Sequence, residues 1–242
     1  SIQSHELCYA VSDRPDEGYR YGGTLVDIGD IFLNGRTADN PLNCLGNTHG
    51  GIECADGQWY VFYHRQTNRT NFSRQACAEK IYFDEDGRIA QAEVTSCGLN
   101  KGPLRGRGTY PANIACQLNR HGRQVYSQPS EMEEKFPYLT QDMADCEPDP
   151  ELIRMDRELP VQYIKNIRDG SVIGYKYFEF DGADRISMKV RGKAQGSFTV
   201  AVDTTENVVG NIPATVNSGE WTDISGEIEA VRGVHALYFA FK

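Results

Sequence analysis

An all-β protein of two units is predicted, and three observations carry that prediction. Residues Glu6 to Thr95 alternate in short period-two segments with turn residues between them. From Gln162 to Phe241 the same pattern returns, with strands spaced at about ten residues. Nothing in the first stretch sustains a 3.6-residue period, so no amphipathic helix competes. Meanders of this kind close into propellers or sandwiches.

The elements follow in order. Leu7 to Ser12 forms one strand and Gly23 to Ile28 another. Gly51 to Cys54 pairs with Trp59 to His64 across Asp56-Gly57, a dipeptide that supplies the positive backbone dihedrals of a tight hairpin. Gln75 to Phe83 and Ile89 to Thr95 repeat the device across Asp84-Glu85-Asp86-Gly87. From about Leu99 to Asp149 the rhythm breaks at Gly102, Pro103, Gly106, Gly108 and Pro111, and the charged run Glu131 to Lys135 follows. That stretch reads as a connector. Strands resume at Gln162 to Ile167, Val172 to Phe180, Arg185 to Arg191, Gly196 to Asp203, Trp221 to Glu227 and Val234 to Phe241, an arrangement expected of a β-sandwich.

Composition narrows the function classes. A hydrophobic share of 39% over 242 residues is enough to bury a core. The formal charge of -9, with no Lys/Arg cluster against it, repels nucleic-acid phosphates and anionic lipid, so neither is expected as a partner. No apolar run reaches the roughly 20 residues of a membrane-spanning helix. Seven cysteines, an odd number without Cys-x-x-Cys spacing, lie beside apolar neighbours and read as buried free thiols. Ser1 opens the chain without methionine or a leader, so localisation is not legible. Two Asn-x-Ser/Thr triplets, starting at Asn68 and Asn71, are too short a pattern to weigh.

The densest information lies between Asn47 and Glu79. Asn47-Thr48-His49-Gly50-Gly51 precedes one strand, Gln58-Trp59-Tyr60-Val61-Phe62-Tyr63-His64-Arg65 forms the next, and Phe72-Ser73-Arg74-Gln75-Ala76-Cys77-Ala78-Glu79 enters a third. This order resembles the last blade of the five-bladed propeller of glycoside hydrolase family 43, whose members cut arabinose- and xylose-containing polysaccharides. Further on, Tyr163 to Gly170, Gly174 to Phe178 and Gly233 to Phe239 look like the family 6 carbohydrate-binding module that often follows such a domain. The resemblance implies a partial five-bladed β-propeller over residues 1–125, and a connector with a jelly-roll β-sandwich over 126–242. It implies an α-L-arabinofuranosidase or β-xylosidase of arabinoxylan breakdown, with an arabinose- or xylose-containing oligosaccharide or polysaccharide as partner.

Inverting hydrolysis needs a carboxylic acid and a carboxylate about 6.5–9.5 Å apart across the sugar, one protonated and the other ionised. In the resembled family these acids come from earlier blades, so the resemblance implies that they precede Ser1 and that no catalytic residue lies in this chain. A further strand is expected beyond Lys242 for the same reason. Glu6 stands near the end of the third blade, but it matches the strand after the acid. The resemblance gives His49 a place on the propeller axis, beneath the sugar, against a calcium or other ion ligated mostly by water. It makes Arg74 the group that hydrogen-bonds the terminal sugar, a task suited to a planar guanidinium. A hydrogen-bonded turn histidine and an arginine paired with Glu79 are the purely structural alternatives. Trp59, Tyr60, Phe62 and Tyr63 read as packing between blades, and Trp221, Tyr175 and Tyr177 as core or half-buried aromatics. Two blades leave unpaired sheet edges. A complementary N-terminal chain, self-association, or a carbohydrate-binding protein without hydrolysis each satisfies that condition.

Overall fold

A computed structural model of the chain describes residues 6–68, 73–124, 135–142 and 161–242. Strand β1 (Glu6–Val11) pairs antiparallel with β2 (Arg20–Asp27), and its partly buried Leu7 and Tyr9 pack on the core. Strands β3 (Gly50–Ala55), β4 (Gln58–Gln66) and β5 (Arg74–Lys80) form a second antiparallel sheet in that order. The β3–β4 hairpin turns at Asp56 and Gly57, with φ of 49° and 80°, as the Asp-Gly dipeptide predicts.

The second predicted hairpin is not formed. Asp84 does cap a turn, since its Oδ1 accepts the amides of Asp86 at 3.0 Å and Arg88 at 2.8 Å. Beyond the single bridge Phe83–Ile89, however, the chain leaves β5 and crosses to β2, where Ala92 bridges Val26. Side chains have taken the amides a ladder needs: Val94 N–H donates to Asp30 Oδ1 and Thr95 N–H to Glu79 Oε1, each at 2.8 Å. Residues 89–95 thereby tie the two sheets across one core, in which Val26, Ile31 and Val61 are fully buried.

The stretch read as a connector holds β6 (Leu104–Arg105), a short 3₁₀ helix (Ala112–Ile114) and β7 (Gln117–Arg120). Both strands join the C-terminal sheet, so strand pairing crosses the predicted division at 125/126. β8 (Tyr138–Gln141) pairs with β9 (Gln162–Lys165), which makes the first strand expected of the sandwich a partner of the connector instead. The run from Glu131 to Glu134 lies outside the described residues.

Strands β10 (Ser171–Val202) and β11 (Val208–Phe241) are long ladders with repeated register shifts, which bend them into successive segments. Residues 172–183 pair with 231–240, 185–190 with 222–227, and 192–201 with 208–218. Because 198–202 also pair with 237–241, the path closes back on itself around Phe198, Val200, Ile212 and Phe239. Leu104 of β6 and Gln117–Arg120 of β7 extend the same sheet. The strand at 208–218 is not among those the sequence pattern predicts; Pro213 sits in its ladder opposite Ser197.

The molecule is thus nearly all-β, and the described residues do not close a ring of blades. Among them no helix is long and apolar enough to cross a membrane. Six described cysteines are free thiols. Cys8 and Cys54 are exposed rather than buried, because each lies on a two- or three-stranded sheet with an open face. Cys146 lies outside the described residues.

Candidate functional site

Three side chains meet at one end of the β3–β4–β5 sheet. The register sets Gln66 opposite Arg74 and His64 opposite Ala76, while Gly50 faces Tyr63, so the residue before β3, His49, arrives beside His64. The two imidazole centroids are 4.3 Å apart and nearly perpendicular. Arg74 Nε donates to His64 Nε2 at 2.9 Å. Since Nε2 accepts, the ring is neutral with its proton on Nδ1. Its pKa is accordingly held below the ordinary histidine value, first by burial and then by His49 and Arg74, against hydrogen bonds with the backbone of Asn47 and His49.

The structure therefore brings the two predicted residues, His49 and Arg74, together, and adds His64 between them. Both predicted residues are exposed, as a site that meets a ligand requires. Arg74 does not pair with Glu79. That carboxyl is buried with 5% exposure and accepts from Thr95 Oγ1 at 2.6 Å and Tyr63 OH at 3.3 Å. Arg65 also turns inward, with Nε on Gln75 Oε1 at 2.8 Å and a terminal nitrogen on the Asn113 carbonyl at 3.0 Å. It locks β4 to the 3₁₀ helix.

The donor set does not suit calcium. Calcium takes six to eight oxygen ligands, whereas this cluster presents imidazoles beside a guanidinium whose charge repels a cation. One oxygen, Thr48 Oγ1, is buried without a hydrogen-bond partner next to His49 in the chain, and one hydroxyl does not make a calcium shell. No group of three His, Cys, Asp or Glu able to hold a metal occurs among the described residues. The exposed groups of the cluster, the Arg74 guanidinium and the His49 imidazole, are of a kind suited to hydroxyls.

Glu6, the carboxylate nearest the expected acid, receives Thr24 Oγ1 at 2.6 Å and braces β1 against β2. Of the β4 aromatics, Tyr60 and Tyr63 are buried, Phe62 is half-buried and Trp59 packs edge-on against Phe83. In the second unit Tyr175 donates to the Ala112 carbonyl at 3.2 Å, and Tyr177 donates to Glu93 Oε2 at 2.8 Å. Trp221 carries the Arg191 guanidinium 4.5 Å from its ring centroid. Tyr175 and Tyr177 are half-buried, as expected, whereas Trp221 is exposed rather than core or half-buried.

Known proteins give this geometry its context. Residues 156–242 match the model of the family 6 carbohydrate binding module. The whole chain aligns at 42% identity over 245 residues with a xylosidase/arabinosidase of Thermoclostridium stercorarium, covering 49% of that protein. An arabinoxylan arabinofuranohydrolase of Paenibacillus polymyxa is 23% identical over 250 residues, with 98% of this chain and 34% of that protein covered. A solved family 43 arabinoxylan arabinofuranohydrolase of Bacillus subtilis, in complex with cellotetraose, superposes with a TM-score of 0.49 at 20% identity. It covers 98% of this chain and 44% of that one. The comparisons thus join a family 6 module match over 156–242 to relatives named as a xylosidase/arabinosidase and an arabinoxylan arabinofuranohydrolase. The chain spans about half or less of the length of the curated relatives it matches.

Proposed function

We propose that the chain is the sugar-gripping portion of a family 43 type protein of hemicellulose breakdown, an arabinofuranosidase or xylosidase of arabinoxylan. The observation that carries this reading is the alignment of all its residues with a xylosidase/arabinosidase at 42% identity. In this reading residues 6–124 belong to the last propeller blades, and 161–242 form a jelly-roll sandwich that holds the polysaccharide near the site. Arg74 donates to hydroxyls of the terminal sugar, His64 fixes the direction of its guanidinium, and His49 lines the pocket floor. The acid and base of an inverting hydrolysis are not among these residues. Their work here is to bind and orient.

Affinity electrophoresis in gels with and without arabinoxylan tests the reading. Retardation by arabinoxylan but not by a polyanion such as heparin is expected; equal mobility in all gels contradicts it. Release of nitrophenol from an aryl arabinofuranoside or xyloside by the pure chain would demand a catalytic carboxylate within it. A second reading, a carbohydrate-binding protein without hydrolysis, is favoured by the family 6 match over 156–242. It predicts the same retardation with no turnover in any assembly.

A further inference from the structure

A cavity of about 280 Å³ lies where the first unit meets the C-terminal sheet, walled by Lys80, Glu93, Asn100 and Pro103 on one side and Tyr177 and Val234 on the other. It is remote from the histidine cluster. Arg74 and Lys80 stand at opposite ends of β5, six residues apart, or about 20 Å at 3.3 Å per residue.

From this cavity we infer that the chain has a second saccharide site, taking one neutral pentose-sized ring at the junction of its two units. The choice of a pentose rests on the hemicellulose reading above; the choice of a neutral hydroxylated ring rests on the walls. Glu93 is the central acceptor. Its Oε1 receives Lys176 Nζ at 2.6 Å and its Oε2 receives Tyr177 OH at 2.8 Å. An ionised carboxylate offers about four lone-pair positions, so about two remain for hydroxyl donors. Lys176, with 7% of its side chain exposed, holds the carboxylate in place. A site whose acceptor is already ordered loses little entropy when a ligand arrives.

Asn100 donates its amide to the Cys97 carbonyl at 2.6 Å, which leaves its side-chain oxygen as a second acceptor. Lys80 supplies a donor at the rim, tethered to the Lys101 carbonyl. Pro103 and Val234 give the apolar surface against which the C–H face of a ring packs. Charge argues against a cation as the ligand. Glu93 is already paired with Lys176, and Lys80 at the rim adds a positive charge, so a free cation gains little in this cavity. The volume sits just under the 300–1,000 Å³ of drug-sized pockets, so one ring fits and an oligosaccharide does not.

The test is a ¹⁵N-correlation NMR titration of the full chain with D-xylose and with L-arabinose. Saturable shifts centred on the amides of Gly98, Gly102 and Val234 are expected for at least one of them. Asn100→Leu should weaken that binding roughly five-fold, the worth of one neutral hydrogen bond, while Arg74→Ala leaves it unchanged. Shifts that do not saturate, that are confined to His64 and Arg74, or that at the cavity are indifferent to Asn100→Leu overturn the site. Arabinoxylan retardation in the gel reports separately on the function of the chain, so loss of the cavity's shifts with retained retardation sinks this inference alone.

Discussion

Lys176 and Glu93 are joined at 2.6 Å across the boundary between the C-terminal sheet and the first unit. Asp30 lies 3.6 Å from the same ammonium on its other side, so one lysine of β10 answers two carboxylates of the N-terminal core. Burial works against the charge on Lys176, but its acidic neighbours outweigh it and raise the pKa. Burial in turn pushes Asp30 up to about 6, with Lys176 opposing. Ser96 and Cys97 add backbone contacts with residues 176 and 177, so the ion pair sits within a continuous seam.

Removing the lysine leaves two carboxylates in a poorly solvated seam. Lys176→Met should destabilise the chain by about 3 kcal/mol, the scale of breaking a buried pair from one side. Adding Glu93→Gln should recover part of the loss, because the stranded charge goes with it. Urea denaturation of the single and double variants reads both effects.

Glu79 predicts a pH dependence. Burial raises its pKa from 4.5 to about 8, against hydrogen bonds from Thr95 and Tyr63. The folded form therefore holds a proton that the unfolded chain has released, and stability from this group is full below 4.5 and lost as pH rises through about 8. Between pH 6.5 and 8.5 the urea midpoint should fall. Glu79→Gln should flatten that slope, and an identical slope in both proteins contradicts the assignment.

Arg74 and His64 make a coupled pair. Arg74→Ala removes a cation and the hydrogen bond to Nε2, so the His64 pKa should rise toward its ordinary value in an NMR titration. Arabinoxylan affinity should fall about ten-fold in the same variant, the scale of a charge-assisted hydrogen bond.

The C-terminal core should respond according to burial. Phe198 is 1% exposed and Trp221 36% exposed. Phe198→Ala should cost about 3–5 kcal/mol, and Trp221→Ala distinctly less, because solvent already reaches its ring and its partners are Arg191 and Tyr163 at the surface. Thermal denaturation of the two variants gives the order.

How far the sequence reached is seen in particular residues. Asp56-Gly57 announced its hairpin because a two-residue turn is a local event, whereas Asp84 to Gly87 formed the turn but not the ladder. The difference lies in Asp30 and Glu79, distant carboxylates that take the amides of Val94 and Thr95. Arg74 and His49 were marked by motif order, while His64 was noted without a role because only the β4–β5 register shows what it faces. Lys176 was hidden within an aromatic strand, Tyr175-Lys176-Tyr177, where period-two patterning describes the neighbours and says nothing of a buried ammonium. Its partners are 83 and 146 residues away in sequence, and no local signal links them.

Calorimetric titration of arabinoxylan oligosaccharides into the full chain and into Arg74→Ala tests the account most directly. A saturable heat with the unaltered chain, weakened about ten-fold by the substitution, is the predicted result. No heat with the unaltered chain, or the same isotherm for both proteins, contradicts it.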